Sequence, residues 1–184
     1  DAPVKPRGPD QDTEGLMELK RLRDLFGYSS TLRRKIAFDA MATLPPEESI
    51  DEGWKLLSNE RPVRFNEMEY HLPRESGLQA LREIRSALES QHHEVFFPIE
   101  VRYVKADDIW LSPFYQRDCC SIAVHRYFAE DYTPYFRTIE PILRKYHGRP
   151  HWGKLNTLQR GDLRNLYPRW DDFVQVRKTV DPQG

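Results

Sequence analysis

Apolar residues recur at helical spacing through the first quarter of the chain. They are Leu16, Leu19, Leu22, Leu25, Phe26, Ile36, Phe38 and Met41. Because a repeat of three to four residues lines one side of a helix, the pattern predicts helices between residues 13 and 44, interrupted at residues 27–30. Residues 1–12 hold three prolines and a glycine and are predicted to form a flexible tail. Pro45 and Pro46 are expected to end the second helix.

Strand and helix patterns are interleaved in the rest of the sequence. The predicted strands cover residues 63–72, 94–105 and 119–128, and an aromatic loop is predicted over residues 107–118. Helices are predicted after Ser76, after Thr133-Pro134, and over residues 158–166 and 169–179, with Thr133 as an N-cap. This order predicts an α+β fold in which helices cover an antiparallel sheet.

Composition and charge exclude several classes of protein. Of the 184 residues, 39% are hydrophobic and 31% are charged, which fits one soluble globular domain with a real core. The net charge of −1 gives no general case for nucleic-acid binding. No apolar run approaches the ~20 residues that a membrane span needs. The chain begins with Asp1 and not methionine, so we expect a fragment or a processed subunit.

The two cysteines give a weak indication of cellular location. Cys119 and Cys120 are adjacent, and neighbouring residues are poorly placed to form a disulfide with each other. Two thiols without a disulfide framework favour a reducing compartment. We therefore expect a cytoplasmic protein.

Basic residues are concentrated between residues 16 and 35. This stretch holds six lysines and arginines against two acidic residues. The commonest meaning of such a stretch is a solvated helical face. The alternative is a peripheral contact with anionic lipid or with an acidic partner.

Two segments carry the most suggestive chemistry. Strand alternation places Glu100 and Arg102 on one face of their strand, with Val101 on the other. Residues 150–154 read Pro-His-Trp-Gly-Lys. Gly148 and Pro150 interrupt any helix there, which favours a rigid loop that presents polar groups. A carboxylate, a guanidinium and the Lys154 ammonium that converge would bind and polarise a hydroxylated substrate.

Each of these residues also has a plain structural interpretation. Lys154 is predicted either to stabilise a developing alkoxide or, if burial lowers its pKa, to accept the hydroxyl proton; the alternative is a surface lysine. Glu100 and Arg102 are predicted to bind substrate hydroxyls, against the alternative of an exposed ion pair. His125 is expected to share a face with Ser121 and to act as an acid–base group or as a satisfied buried histidine.

Metal and glycosidase chemistry receive less support. His147 and His151 are four apart, but Gly148 and Pro150 break the helix that would align them, and the cysteines lack C-x-x-C spacing. We therefore predict no metal site. The Glu67 and Glu69 side chains share a strand face, and a close carboxylate pair is a weak signal for glycoside hydrolysis. Solvated like charges on a strand are commoner.

Four motifs together resemble a known family. They are Phe65-Asn66-Glu67-Met68-Glu69-Tyr70, Glu100-x-Arg102, His151-Trp152-Gly153-Lys154 and Tyr167-Pro168-Arg169-Trp170-Asp171-Asp172-Phe173. Their order resembles the C-terminal domain of the aldonolactone oxidases, which include gulonolactone, arabinonolactone and alditol oxidases. These are flavoproteins of the vanillyl-alcohol-oxidase type. The resemblance covers residues 60 to 184.

The resemblance implies a domain organisation and a function. Residues 55–184 would form the substrate (cap) domain of a two-domain flavoprotein, with residues 1–54 as a variable tail and helical segment. FAD would be bound mainly by a domain that this chain lacks, so the chain alone would be inactive. The complete protein would oxidise an alcohol carbon of a sugar lactone or polyol by hydride transfer to flavin, and oxygen or another acceptor would reoxidise it.

The resemblance also implies roles for particular residues. Lys154 would contact substrate hydroxyls, and Glu100 and Arg102 would lie beside the flavin. His125, His151 and Trp152 would line the substrate and flavin pocket. The alternative function is a non-catalytic binding or assembly subunit that keeps the cap fold.

Overall fold

A computed structural model describes residue 4 and residues 11–27, 29–43, 48–58 and 63–183. The helices in these ranges are α1 (Gln11–Leu25), α2 (Ser30–Ala42), α3 (Gly53–Leu57), α4 (Gly77–Gln91), α5 (Thr133–Lys145), α6 (Arg160–Leu166) and α7 (Trp170–Val180). The strands are β1 (Phe65–Pro73), β2 (Glu100–Val104), β3 (Cys119–Tyr127) and β4 (Arg149–Pro150). The mixture of helices with an antiparallel sheet confirms the predicted α+β class.

The chain divides into two compact units, of which the first comprises residues 1–64 and 91–97. Here α1 and α2 are tied to the 91–97 segment by arginines. Arg23 donates a hydrogen bond to the Glu94 carbonyl at 3.2 Å, and Arg33 donates to the His93 carbonyl. The Arg23 guanidinium also lies over the Phe96 ring, 4.8 Å from its centroid.

Much of the basic charge in residues 16–35 is engaged within the first unit. Lys20 pairs with Asp24 at 2.7 Å, and Lys35 pairs with Asp39 at 2.8 Å. Lipid contact through this stretch stays a prediction. Of the predicted tail, α1 includes residues 11 and 12, whereas residues 1–3 and 5–10 lie outside the described residues, as does the Pro45-Pro46 stop.

The second unit, residues 65–90 and 98–184, contains a four-stranded sheet in the order β2-β3-β1-β4. Every pairing is antiparallel, with Glu67 opposite His125 and Glu100 opposite Ala123. Since opposed residues point to the same side of a sheet, this register fixes the content of each face.

One face of the sheet forms the hydrophobic core with α4 and α5. The buried side chains of this core include Met68, Tyr70, Leu72, Ile122 and Val124 from the strands and Ala80, Ile84, Ile139 and Leu143 from the helices. α4 approaches so closely that a Cβ on Gly77 would lie 2.4 Å from the Cys120 sulfur. α5 is tied to β1 by the Tyr70 hydroxyl, which donates to Glu140 at 2.5 Å. Both helices therefore cover the same side.

The opposite face of the sheet is polar. It carries Glu67, Glu69, His71, Ser121 and His125 from the two central strands and Glu100 and Arg102 from the edge strand. The central members are buried, whereas β2 is largely exposed. The structure confirms three predicted pairs that share this face: Glu100 with Arg102, Glu67 with Glu69, and His125 with Ser121.

Several predicted boundaries were wrong. The strand predicted from residue 94 begins only at Glu100, because Pro98 cannot donate to a ladder and residues 92–95 form a turn. Thr133 is not the N-cap of α5; Tyr132 takes that position, and Asp131 accepts from the Thr133 amide at 2.9 Å. β4 and α3 were not predicted. None of the helices in the described ranges combines the length and apolar character that crossing a bilayer requires.

Candidate active site

The segment that carries Lys154 runs along the free side of β1. β4 pairs with Tyr70 and His71, and beyond it the His151 amide donates to the Glu69 carbonyl at 2.9 Å. The Leu155 amide donates to the Glu67 carbonyl at 2.9 Å. Between these two bonds the chain turns outward and returns. The predicted loop is therefore an excursion from an edge strand, and it places the Lys154 side chain beside β1.

Gly148 allows this segment to reach the sheet. A Cβ at this position would lie 2.7 Å from the Leu143 carbonyl oxygen and 3.1 Å from a ring carbon of Tyr70. Real Cβ atoms do not approach a backbone oxygen so closely, and that oxygen cannot turn away. His147, just before it, has a φ of 54°. The tight turn brings the chain from the end of α5 straight into β4.

Glu67 is the centre of the polar cluster. One carboxylate oxygen binds the Lys154 ammonium, and the other lies 3.4 Å from His125 Nε2. The Glu67 side chain is 8% exposed and that of Lys154 is 28% exposed. Burial raises the pKa of Glu67, but the hydrogen bonds and charges of His125 and Lys154 outweigh it and lower the pKa to about 2. Glu67 is therefore an anion at neutral pH.

Glu100 and Arg102 lie on the exposed strand next to this cluster. Their side chains form an ion pair at 2.8 Å and are 44% and 52% exposed. Burial opposes the charge of Arg102, but Glu100, Glu69 and Glu67 together raise its pKa. The pair leaves part of each group open to solvent and hence to a ligand.

A cleft of about 310 Å³ opens beside Arg102 on the same face. Its lining includes Glu69, His71, Arg102, Phe114, His151 and Trp152. At its buried end His71 Nδ1 shares a hydrogen bond with the Ser121 hydroxyl at 2.7 Å. Burial, followed by the positive charges of its neighbours, lowers the pKa of His71 to about 3. His71 is therefore a neutral imidazole at physiological pH.

The outer wall of the cleft is built by the aromatic loop at residues 107–118. The Trp152 ring stacks on Tyr167 at 5.0 Å with a 26° tilt, and its Nε1 donates to the Leu111 carbonyl at 2.8 Å. Arg149 donates to the carbonyls of Pro113 at 3.2 Å and Tyr115 at 3.0 Å. These bonds tie the loop to the segment that carries Lys154.

The structure brings the sequence-predicted site residues to one face of the sheet. Lys154 and His125 meet through Glu67, and a carboxylate oxygen of Glu100 lies within 4.8 Å of donor atoms of Glu67 and His125. Arg102 is paired with Glu100. His151 and Trp152 lie at the cleft and not in the central cluster.

Glu67 itself was missed as a member of the site. Its expected environment was a solvated strand face, whereas the structure buries it between two partners. The sequence signal that could have found it is strand alternation, which puts Glu67 on one face of β1; the register with β3 then makes this the face of His125. The low pKa of Glu67 excludes it as the general acid of the glycosidase alternative, since a general acid must hold its proton near neutral pH.

The same cluster contains a set of groups that metal ions use. Donor atoms of Glu67, Glu100 and His125 lie within 4.8 Å of one another. Both carboxylates, however, already bind a cationic side chain, Lys154 and Arg102 respectively. A divalent ion would have to displace both cations, so the arrangement suits a polar organic ligand better.

Comparison with known proteins adds a family match. The model of the D-arabinono-1,4-lactone oxidase family matches residues 17–184, a longer stretch than the motifs cover. An L-gulono-1,4-lactone dehydrogenase of Mycobacterium tuberculosis is 45% identical over 132 residues, which are 72% of this chain and 31% of that protein. The L-gulonolactone oxidase of Mus musculus is 35% identical over 75% of this chain and 32% of its own length.

A third relative has a different named substrate. An alditol oxidase of a Streptomyces species is 36% identical over 63% of this chain and 28% of its own length. The chain thus spans about a third of the length of the curated relatives that it matches.

Proposed function

The chain belongs to the D-arabinono-1,4-lactone oxidase family, and on that premise we propose that it is the substrate-binding half of a flavin-dependent oxidoreductase. The proposed reaction oxidises an alcohol carbon of a sugar lactone or polyol. The polar sheet face carries this proposal, because it gathers Lys154, Glu67, His125, Glu100 and Arg102 beside a cleft of about 310 Å³.

The charge balance of this face favours a neutral, hydroxylated ligand. Lys154 is paired with Glu67, and Arg102 is paired with Glu100. His71 at the end of the cleft is uncharged, because its pKa is about 3. Such a site is rich in donors and acceptors, but its cations are already paired. It therefore suits a ligand with hydroxyl and carbonyl groups better than it suits a negatively charged ligand.

The proposed chemistry needs a cofactor. Oxidation of an alcohol carbon removes a hydride from carbon and a proton from the hydroxyl, and no amino-acid side chain accepts a hydride. FAD, when bound, would supply the hydride acceptor. The sequence has neither a G-x-G-x-x-G turn nor a P-loop, whereas the exposed Glu100 and Arg102 fit the substrate side of such a site. FAD would therefore be held mainly by another domain or chain.

Each side chain has a proposed role that follows from its position. The Lys154 ammonium stabilises negative charge on the substrate oxygen, in a partly buried place where such an interaction is strong. Arg102 offers paired donors to hydroxyls or to a lactone carbonyl. Glu100 holds Arg102 in position and accepts from a hydroxyl. His125, fixed by Glu67, orients the reacting end of the substrate.

The cleft would receive the rest of the substrate. His151 lines it with one ring nitrogen occupied, because Nδ1 accepts from the Gly153 amide at 3.0 Å. Trp152 supplies a partly exposed aromatic wall.

The test of this proposal is spectroscopic. The full-length protein is purified, its absorbance spectrum and native mass are recorded, and aldonolactones and alditols are added without oxygen. Flavin bands that bleach on addition of a lactone or polyol support the proposal. A flavin-free protein, or flavin bands that no such compound bleaches, would contradict it and favour a binding or assembly role.

A further inference from the structure

Lys154 and Glu67 are joined at two levels. The Lys154 ammonium binds the Glu67 carboxylate, and the Leu155 amide donates to the Glu67 carbonyl at 2.9 Å. The second carboxylate oxygen of Glu67 is engaged with His125 Nε2 at 3.4 Å. Glu67 therefore holds the loop through its backbone and through its side chain. It lies on β1, a central strand that pairs with a strand on each side.

We infer that Glu67 is a positioning residue that holds the Lys154 ammonium in place, so that Lys154 meets the substrate oxygen as a cation and does not accept the hydroxyl proton. This inference rests on the proposed function and assigns a part to a residue that would not itself contact the reacting atoms. It decides between the two roles that the sequence left open for Lys154.

The charged groups around the pair favour a cation at this position. A carboxylate in contact with a lysine favours the charged form of both groups. The other titratable and charged groups around the pair are Glu69 on β1, Glu100 and Arg102 on β2, His125 on β3 and His151 on the loop. Three carboxylates, Glu67, Glu69 and Glu100, lie around the Lys154 ammonium, against the single guanidinium of Arg102. Apart from the two histidines, the surroundings of the ammonium therefore carry a net negative charge.

Glu67 can play this part because it does not become neutral in the working range of pH. Its pKa is about 2, since the bonds to His125 and Lys154 outweigh its burial. Its carboxylate therefore stays available as an anion to the Lys154 ammonium across this range. A lysine that accepts protons needs the opposite surroundings, namely apolar burial or a second cation.

The first arm of the test measures how strongly the Lys154 amine is engaged by Glu67. Lysines of the wild type and of Glu67→Gln are labelled with a trace of acetic anhydride across a pH series, and mass spectrometry quantifies the product at Lys154. Glutamine keeps the size of the side chain but removes its charge. We expect the labelling of Lys154 to increase several-fold in the variant, because its amine loses the carboxylate that engages it.

The matched control is Glu83→Gln. Glu83 accepts from Lys145 at 2.9 Å on the helix-covered side of the sheet, away from the site. This substitution removes one lysine–carboxylate pair but should leave the labelling of Lys154 and the rate of flavin reduction unchanged. Unchanged labelling of Lys154 in Glu67→Gln would overturn the inference.

The second arm does not depend on whether Glu67→Gln folds. Arginine keeps the cation but cannot act as a base, so Lys154→Arg should reduce flavin at least ten times faster than Lys154→Met in a single turnover. Equal rates for the two variants would overturn the inference. If no lactone or polyol reduces flavin in the wild type, the proposed function fails, and with it the catalytic part of this inference. The labelling arm still reports on the ion pair.

Discussion

Lys154 binds Glu67 although the two residues are 87 positions apart in the sequence. The contact forms because the loop after β4 follows β1, with bonds from the His151 amide to Glu69 and from the Leu155 amide to Glu67. One carboxylate thus sets the position of the cation and contacts His125 on β3 as well. The charge at the candidate site is therefore fixed by the sheet and not by a flexible side chain alone.

The Glu67 contact predicts a specific dependence of stability on pH. The pKa of Glu67 is lowered from 4.5 to about 2 in the folded protein. A group with a lowered folded-state pKa stabilises fully above its unfolded pKa, and this stabilisation is lost as the pH falls through the folded value. Glu67 should therefore contribute on the order of 3 kcal/mol at pH 7, lost between about pH 5 and pH 2.

Urea unfolding of the wild type and of Glu67→Gln at several pH values checks this dependence. We expect the variant to be less stable at pH 7 and the difference in unfolding free energy to shrink as the pH approaches 2. A difference that is the same at pH 7 and at pH 2 would show that Glu67 stabilises the fold by packing and not by its charge.

Two glycines provide a matched pair of substitutions. Gly148→Ala places a Cβ 2.7 Å from the Leu143 carbonyl oxygen, so the start of β4 must shift. We expect a loss of about 1–3 kcal/mol, as for other overpacked sites. Gly161 lies in α6, where a Cβ would point into open space, so Gly161→Ala should gain up to about 1 kcal/mol.

Thermal unfolding of both glycine variants measures this contrast. The melting temperature should fall for Gly148→Ala and rise slightly for Gly161→Ala. Equal changes in melting temperature would mean that the close contact with the Leu143 carbonyl does not explain why residue 148 is a glycine.

A buried carboxylate anchors the far side of the Lys154 loop. Glu140 accepts from the Tyr70 hydroxyl at 2.5 Å, from the Thr157 amide at 2.7 Å and from the Thr157 hydroxyl at 2.6 Å. Glu140→Gln removes the charge of this acceptor and leaves one oxygen where there were two, so the Thr157 hydroxyl must change from donor to acceptor. We expect the substitution to cost about 2–3 kcal/mol, as for lost hydrogen bonds to a charged group. Tyr70→Phe removes one donor only and should cost about 1 kcal/mol.

Urea unfolding at neutral pH gives both values, with Glu83→Gln, which changes a half-buried carboxylate between α4 and α5, as the control. Glu140→Gln should have the lowest free energy of unfolding, Tyr70→Phe an intermediate value, and the control the highest. If Glu140→Gln is as stable as the control, the loop after Lys154 is held by other contacts.

Trp152 is expected to hold the wall of the cleft. Its Nε1 donates to the Leu111 carbonyl at 2.8 Å, and its ring stacks on Tyr167. Trp152→Phe keeps an aromatic ring but loses the hydrogen bond, which is worth about 0.5–1.5 kcal/mol. We expect amide hydrogen exchange in residues 109–116 to become up to about tenfold faster, and KM for the substrate to rise more than kcat falls. Unchanged exchange in this loop would contradict the role.

The contents of each sheet face could be predicted from the sequence. Period-two alternation is a local property of a strand. No knowledge of the strand order was therefore needed to predict that Glu100 shares a face with Arg102 and Glu67 with Glu69. The register that sets Glu67 opposite His125 could not be predicted, because it depends on packing between distant segments. For the same reason Glu67 was interpreted as solvated, and its burial came as a finding.

The short strand β4 shows a second limit. Two residues carry no periodicity, and Pro150 argues against a strand when it is considered alone. β4 forms at the edge of the sheet because Gly148 permits a tight approach and because Arg149 donates to the Leu166 carbonyl at 2.9 Å and to two carbonyls of the aromatic loop. The path of that loop depends on these distant bonds, and so does the shape of the cleft.

The most direct test of the central claim is anaerobic single-turnover reduction of flavin by an aldonolactone or alditol in the full-length protein, with and without Lys154→Met. Methionine has a similar length but no charge, so it removes the cation that faces the substrate oxygen. The account predicts that flavin reduction slows by at least about a hundredfold, comparable to the loss of one electrostatic stabiliser in other active sites. Reduction at the wild-type rate would contradict it.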